Sequence, residues 1–194
     1  MKKFTAQEIK DTLTPTFHGD LEFDEKTLIE HSHDASLFEI MPALVAYPKN
    51  SHDVSTLVKF VVEHKSEDPT LSLTARSGGT CMSGGSINES IIIDFTRYMN
   101  KIISVNDTQG VVEPGCYYRD FEKETRAIDR IMPTYTASKD ICAVGGMVGN
   151  NAAGEKTIKY GKTEKYVSRQ KVIFGDGKEY EIKPLTQSEL TLKM

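Results

Sequence analysis

A glycine-rich loop is the part of the sequence best suited to hold an anion. It covers residues 76–85 and reads Arg-Ser-Gly-Gly-Thr-Cys-Met-Ser-Gly-Gly. Small or absent side chains let the backbone approach a ligand closely and adopt positive φ angles. Successive N–H groups in such a turn form an anion-binding concavity, which suits a diphosphate without needing a lysine. An ordinary surface turn that uses glycine for tight geometry would also explain this loop taken alone.

Two common nucleotide-binding motifs do not fit the loop. A Walker A loop requires Gly-Lys-Ser/Thr, which does not follow here. A Rossmann fingerprint opens a helix, whereas these glycines run towards Ile91–Asp94, an apolar run that reads as a buried strand. The loop therefore predicts a phosphate cradle of another kind, between two strands.

A second segment, residues 138–154, is nearly free of charged and bulky polar side chains. Such a stretch tends to pack against something flat, and its small residues could line an apolar slot. The side-chain amides of Asn150 and Asn151, together with backbone amides, could then meet the polar edges of a ligand. A tightly packed helix start in the core is the alternative interpretation.

Residues suited to acid–base or metal chemistry are scattered. Asp140, Glu155 and Tyr160 have neither a paired carboxylate nor an oriented histidine, so we predict no catalytic residue among them. His31 and His33 could chelate a metal in principle, but residues so placed in a polar segment are more often solvated. We predict no metal site.

The three cysteines predict free thiols. Cys81, Cys116 and Cys142 are odd in number and widely spaced, without a Cys-x-x-Cys pair. This pattern argues against a disulfide framework and against a zinc site, and it fits a reducing compartment.

Hydrophobic periodicity predicts the elements that position the two loops. Thr5 and Glu8 form a capping-box pattern that opens a helix to about Leu13, and residues 24–31 read as a second helix. The next predicted elements are a strand at 43–47, a helix that begins with Ser51 as its cap, and a strand at 71–75. Together these three predict a βαβ unit with parallel strands. The buried face of its helix is expected to consist of Val54, Leu57, Val58, Val61 and Val62.

Beyond Arg97 the predicted strands change character. Residues 102–105 and 110–113 indicate a hairpin turned at Asn106-Asp107, followed by a helix from about 118 to 130. A final hairpin is expected from 167–174 and 179–182, because Asp176-Gly177 is a strong turn signal.

Composition and charge limit the function classes. The chain has 194 residues and a formal net charge of −4, and no stripe of Lys or Arg marks a nucleic-acid surface. Its apolar runs are strand-length, which predicts a chain without a membrane-spanning segment. The N-terminal stretch does not read as a secretory signal, so we expect a cytoplasmic location.

Five motifs occur in a fixed order along the chain. They are Pro42-x-x-Val45-x-x-Pro48, Arg76-Ser77-Gly78-Gly79-Thr80, Val112-Glu113-Pro114-Gly115, Gly145-Gly146-Met147-x-x-Asn150-Asn151-Ala152-x-Gly154, and Tyr160-Gly161. In these motifs the chain resembles the FAD-binding domain of the vanillyl-alcohol oxidase/p-cresol methylhydroxylase (PCMH) superfamily, in its glycolate oxidase and D-lactate dehydrogenase branch. Asp34-Ala35-Ser36 also matches that branch, so the resemblance extends over residues 32–183.

The resemblance implies an α+β fold with FAD between two lobes. An N-terminal βαβ lobe with parallel strands (residues 40–98) would precede a second lobe with a mainly antiparallel sheet (residues 99–183). Residues 1–39 would form a helical arm, and residues 184–194 a tail.

The resemblance also assigns candidate cofactor contacts. The family's diphosphate loop falls on residues 76–83, where mainly backbone contacts are expected. The second segment follows the cofactor from diphosphate towards the flavin ring in relatives, and Pro114-Gly115 lies near the cleft. The expected contact residues are Arg76, Ser77, Gly78, Gly79, Thr80, Cys81, Met82, Ser83, Pro114, Gly115, Ser138, Ala143, Gly145, Gly146, Asn150, Asn151, Ala152 and Ala153.

The resemblance implies that FAD is held non-covalently. Flavinylated relatives carry a histidine in the first glycine loop, where this chain has Thr80. The cysteine of doubly linked relatives lies one residue further from the glycine pair than Cys142 does. We therefore expect Cys142 to act as a small packing residue.

The activity implied by the resemblance is oxidation of a 2-hydroxy acid by hydride transfer to FAD. The substrate-binding groups of that branch lie in a later cap domain, so we expect a fragment completed by a C-terminal cap domain or by a partner chain. Two alternatives stay open at this point. One is a MurB-like NADPH-dependent flavin reductase, and the other is a non-catalytic module that has lost its cofactor.

Overall fold

The computed structural model describes residues 3–193, so residues 1, 2 and 194 of the predicted arm and tail lie outside it. The chain begins with helix α1 (Ala6–Leu13), strand β1 (Asp20–Glu22) and helix α2 (Glu25–His31). The predicted capping box is confirmed, because Thr5 accepts from the Glu8 backbone and the Glu8 side chain accepts from the Thr5 backbone. Strand β1 was not predicted from the sequence.

A four-stranded mixed sheet forms the centre of the first half. It adds strands β2 (Leu44–Tyr47), β3 (Leu73–Arg76) and β4 (Ile91–Asp94), in the spatial order β1-β2-β4-β3. Strand β4 pairs in parallel with both β2 and β3, while β1 is antiparallel to β2. The parallel strands of the predicted βαβ unit are confirmed, with β4 inserted between them.

Helix α3 (Ser51–His64) connects β2 to β3, and two details of its prediction were wrong. Its cap is Asn50 rather than Ser51, since the Asn50 side chain accepts from the backbone N–H of Asp53. Its buried face includes Phe60, whereas Val62 is 56% exposed. The error at Val62 arose because the helix faces the sheet along Asp53, Leu57 and Phe60.

The first hydrophobic core lies between this sheet, α1 and α3. The strands contribute β-branched and aliphatic side chains, and the N-terminal segment contributes aromatic and aliphatic ones. Its buried members are Phe4, Ile9, Leu13, Phe17, Leu21, Leu44, Ala46, Leu57, Phe60, Leu71, Ile91 and Ile93. The helix and strand that precede β2 are thus packed into the same core as the sheet.

The second half begins with the predicted hairpin, formed by β5 (Ile102–Val105) and β6 (Gly110–Val112). Helix α4 (Tyr118–Arg126) follows and ends four residues earlier than predicted. It ends there because the chain leaves the helix through turns at 127–129, with Asp129 at φ 57°.

The remaining elements are short. They are α5 (Val144–Gly149), α6 (Thr157–Tyr160), a 3₁₀ helix (Thr163–Tyr166), the hairpin of β7 (Gln170–Ile173) and β8 (Glu179–Ile182), and α7 (Gln187–Lys193). The hairpin turns at Gly177, whose φ is 70°, which confirms the Asp176-Gly177 turn. The second half therefore carries two separate antiparallel hairpins, and the α+β fold class is confirmed.

A second hydrophobic core fixes α4 and α5 against the β5–β6 hairpin. Tyr118 and Met147 are almost fully buried in it, together with Cys116, Phe121 and Cys142. Burial raises the pKa of the Tyr118 hydroxyl above its ordinary value. This core holds the start of α5, and with it the second small-residue segment.

Candidate functional site

The glycine-rich loop leaves the sheet at the carboxyl end of β3. Because β2, β3 and β4 are parallel, their carboxyl ends share one edge of the sheet, where open α/β sheets bind ligands. Residues 77–90 join β3 to β4, and Gly79 and Gly84 adopt φ angles of 63° and 78°. Residues other than glycine rarely adopt such angles, so the glycines shape this loop.

The loop presents a row of free backbone donors. Among residues 3–193, none accepts a hydrogen bond from the backbone N–H groups of residues 78–82. Backbone N–H groups away from water are nearly always paired in folded proteins. A run of successive unpaired donors in a partly exposed loop is suited to an anion with several acceptor oxygens.

Arg76 places a positive charge beside these donors. A Cβ atom built on Gly79 would lie 2.6 Å from Arg76 Nη2, so the guanidinium packs against the loop backbone. Burial lowers the pKa of Arg76, and the charges of Asp94 and Asp34 oppose that effect. An arginine side chain stays protonated in proteins, so the loop backbone packs against a permanently positive guanidinium.

A buried ion pair supports the sheet edge below Arg76. His31 Nε2 lies 2.9 Å from Asp94 Oδ2, and His31 Nδ1 lies 2.9 Å from the carbonyl oxygen of Thr27. Desolvation acts to raise the pKa of Asp94, but hydrogen bonds from His31 and Thr96 outweigh it and hold that pKa below its ordinary value. Asp94 is therefore ionised at neutral pH and accepts a hydrogen bond from His31.

The segment before β2 also touches the glycine-rich loop. The backbone N–H of Ala35 donates to the carbonyl oxygen of Gly79 at 3.1 Å, and Ser86 Oγ donates to Asp34 Oδ2 at 3.0 Å. His31, Asp94 and these contacts were missed as site-forming features. The sequence did contain one signal for Asp94, since a charged residue at the end of an apolar strand indicates a functional or structural role for its charge.

The second segment contains a short helix and is not a continuous loop. Residues 138–142 form a turn, and the next six residues after Ala143 form α5, with Met147 buried. This arrangement agrees with the alternative interpretation, a packed helix start. Asn150 ends the helix, and Asn151 follows at φ 45°.

The two segments are in direct contact. A Cβ atom built on Gly78 would lie 2.5 Å from the carbonyl oxygen of Ile141 and 3.1 Å from Cys142 Cα. A Cβ atom on Gly146 would lie 3.0 Å from Ser77 Oγ. The absence of side chains at these glycines is therefore what lets the two segments approach each other.

Pro114-Gly115 joins the same cluster. The backbone N–H of Gly145 donates to the carbonyl oxygen of Pro114 at 2.9 Å. A Cβ atom built on Gly145 would lie 2.6 Å from the same oxygen. Gly115 packs directly against the backbone of Phe95. The structure thus brings three of the sequence motifs together.

The end of the second segment is occupied by internal contacts. Asn151 Nδ2 donates to Glu164 Oε2 at 2.8 Å, and Asn151 Oδ1 accepts from the Glu164 backbone at 3.0 Å. The carbonyl oxygen of Ala152 accepts from both the backbone and the hydroxyl of Thr163. Asn151 and Ala152 therefore anchor the 3₁₀ helix, whereas Asn150 is exposed.

The other singled-out polar residues lie apart. Glu155 accepts from the Tyr135 hydroxyl at 2.6 Å, and His33 Nε2 lies 3.5 Å from Glu39 Oε1. His31 is buried against Asp94, so the structure does not bring His31 and His33 together as a ligand pair. No described helix of residues 3–193 is long and apolar enough to cross a membrane.

All three cysteines are free thiols, as predicted, but their environments differ. Hydrogen bonds from the side chain and backbone of Ser83, with a further one from Gly85, lower the pKa of the partly exposed Cys81 thiol. Burial raises the pKa of the Cys116 thiol to about 11. Cys142 is 3% exposed.

We expect iodoacetamide to alkylate Cys81 well before Cys116 at mildly alkaline pH. The thiolate is the nucleophile, and only Cys81 combines access with a lowered pKa. Peptide mass spectrometry of a time course would measure both rates, with Cys81→Ser as the control that loses the first adduct. Equal labelling of the two cysteines would contradict this description of the loop.

Comparisons with known proteins agree with this geometry. The family model described as an FAD binding domain matches residues 42–183. The chain is 26% identical over 171 residues to the D-2-hydroxyglutarate dehydrogenase of Escherichia coli strain K12, an alignment that covers 87% of this chain and 17% of that protein. It is 25% identical over 178 residues to glycolate oxidase subunit GlcD of Bacillus subtilis strain 168, covering 89% and 37%.

Solved structures share the fold. An alkyldihydroxyacetonephosphate synthase superposes with a TM-score of 0.77 at 20% sequence identity, covering 97% of this chain and 36% of that one. The chain thus spans well under half the length of the relatives it matches. Because the family model covers most of the chain, from residue 42 to residue 183, the chain belongs to the FAD binding domain family.

Proposed function

We propose that this chain holds the diphosphate of FAD on the backbone of residues 76–83, as part of an enzyme that oxidises a D-2-hydroxy acid. One observation carries the proposal, namely the row of free N–H groups at residues 78–82 beside the Arg76 guanidinium. A diphosphate offers several anionic oxygens, and Arg76 favours negative charge at this position.

The residues present fit the cofactor. FAD needs an anion cradle and a flat, weakly polar surface next to it. The loop supplies the cradle, and the segment around α5 supplies small side chains that the contacts at Gly78 and Gly146 hold against the loop. The described residues of this cluster include no carboxylate close enough to the loop donors to occupy them.

We assign the contacts in two groups. Residues 76–83 bind the diphosphate mainly through their backbone. The residues expected along the rest of the cofactor are Pro114, Gly115, Ser138, Ala143, Gly145, Gly146, Asn150, Asn151, Ala152 and Ala153. Within this second group, the Asn151 side chain and the backbone N–H groups of Asn151 and Ala152 already form internal hydrogen bonds, so we propose that these two residues contact the cofactor by packing rather than by hydrogen bonds.

The proposed attachment is non-covalent. Thr80 offers no imidazole, and Cys142 is buried with its Sγ 3.5 Å from Thr136 Oγ1. When bound, the flavin would accept a hydride from the α-carbon of the substrate. The part played by this chain is to bind the cofactor, orient it and exclude water from one side of it.

The substrate class rests on the relatives. D-2-hydroxyglutarate dehydrogenases and a glycolate oxidase subunit are among the proteins this chain resembles. We also propose the domain boundaries given above and a cytoplasmic location. A C-terminal cap domain or a partner chain would bind the acid.

Two experiments test the proposal at separate levels. The purified chain is mixed with FAD and desalted, and retention of the flavin absorbance in equimolar amount is the expected result. Anaerobic addition of D-2-hydroxyglutarate, D-lactate or glycolate to the enzyme that contains this domain should then bleach the flavin. If NADPH bleached the flavin and the acids did not, a NADPH-dependent flavin reductase would replace the oxidation of a 2-hydroxy acid as the proposed activity. A protein that never retains FAD would refute the binding function.

A further inference from the structure

A second cluster of ligating side chains lies beyond the carboxyl end of β2, along the sheet edge from the glycine-rich loop. His18 is in the connection between α1 and β1, and His52 and Asp53 are in the first turn of α3. One ligand atom from each of these residues lies within 4.8 Å of the other two. Strand β4 lies between β2, which this cluster follows, and β3, which carries the glycine-rich loop.

Asp53 provides a rigid carboxylate in this cluster. It is 0% exposed, although both histidines beside it are exposed. Its Oδ1 accepts from the backbone N–H of His18 at 3.0 Å, and its Oδ2 accepts from the backbone N–H of Lys49 at 2.9 Å. These bonds hold the carboxylate in place before any ligand arrives.

The distances suit a small divalent metal ion. His18 Nδ1 lies 3.1 Å from Asp53 Oδ1, a spacing close to that of neighbouring ligands that each bind a metal at about 2.1 Å. The His52 ring centroid is 5.5 Å from that of His18, and both rings can rotate because they are exposed. Two imidazoles and a carboxylate form a donor set typical of Zn²⁺ and related transition metals.

We propose that His18, His52 and Asp53 form a Zn²⁺ site that is independent of the FAD site. The ion would link the α1–β1 connection to the first turn of α3, with water completing its coordination. Binding to the folded chain alone would raise its stability by mass action. FAD affinity would be unaffected, because β4 lies between the strands that lead to the two sites and no residue belongs to both.

Calorimetric titration of the chain without an affinity tag with ZnCl₂ tests the proposal. We expect one Zn²⁺ per chain, and a rise in Tm of about 5 °C at Zn²⁺ concentrations well above Kd. Co²⁺ in place of Zn²⁺ should give visible absorbance from an imidazole-containing site.

Three variants decide where the ion binds. His18→Ala and His52→Ala each should weaken Zn²⁺ binding by at least about tenfold. Both changes are at exposed side chains, and circular dichroism verifies that the variants fold. His33→Ala, which removes another exposed histidine, should leave the affinity unchanged. Wild-type affinity in both the His18 and His52 variants, or no binding at all to the wild type, would overturn the proposal.

Discussion

Replacement of Gly78 by alanine is expected to lower FAD affinity by about tenfold to a hundredfold, since overpacking typically costs about 1–3 kcal/mol. The new Cβ would lie 2.5 Å from the carbonyl oxygen of Ile141, which belongs to the backbone and cannot rotate away. The two segments must separate to make room, and that separation disturbs the cradle and the neighbouring slot together. Titration of FAD fluorescence would measure the loss.

Gly149→Ala is the matched control for this experiment. It also adds one methyl group to a glycine of the second segment, but among residues 3–193 no atom beyond its chain neighbours and its own helix backbone lies within 4 Å of the new Cβ. Alanine inside a helix is more stable than glycine by roughly 0.5–1 kcal/mol, so this variant should bind FAD normally and be no less stable. If both variants bound FAD as tightly as the wild type, contact between the two segments would not matter for the site.

Replacement of His31 by leucine is expected to destabilise the protein by about 3 kcal/mol at pH 7, because it leaves the buried charge of Asp94 without its partner. The His31 and Asp94 side chains are each only 9% exposed. Urea unfolding followed by circular dichroism would measure the free energy of unfolding. His33→Leu, at an exposed position, should change it by less than about 0.5 kcal/mol.

The loss caused by His31→Leu should also depend on pH. In the wild type the pKa of Asp94 is lowered, so its contribution to stability is present above the ordinary carboxyl pKa and is lost as the pH falls through the lowered value. In the leucine variant we expect the pKa of Asp94 to be higher than in the wild type, because the imidazole no longer offsets desolvation, and protonation then relieves the penalty as the pH falls. The difference in unfolding free energy should therefore shrink between pH 7 and pH 5, and a constant difference would rule out this ion pair as its cause.

Helices α1 to α4 and most strands were predictable because local signals specify them, whereas α6 and α7 were not predicted. The capping box at Thr5, the Asp176-Gly177 turn and the apolar runs of β2 and β4 act within a few residues of each other. Strand β1 was not predictable in this way. It has only three residues and exists because it pairs with β2, a contact between distant parts of the chain.

The candidate site was predictable as a pair of segments but not as an assembled surface. The glycines at 78, 79, 145 and 146 are visible in the sequence, and their order gave the family. Contact between Gly78 and Ile141 depends on how two segments 63 positions apart pack together, and the role of Arg76 depends on its orientation against Gly79. The Asp94–His31 pair joins residues 63 positions apart, and no local pattern reports such a distance.

The most direct test of the account is a two-dimensional ¹H–¹⁵N NMR titration of the chain with FAD. We expect the backbone amides of residues 78–82 to show the largest shifts, since these donors would acquire diphosphate oxygens as acceptors. ADP, which has the diphosphate but lacks the flavin, should shift the same amides, while Gly78→Ala should suppress the effect. Binding of FAD that leaves those amides unshifted would contradict the central claim that the loop backbone holds the cofactor.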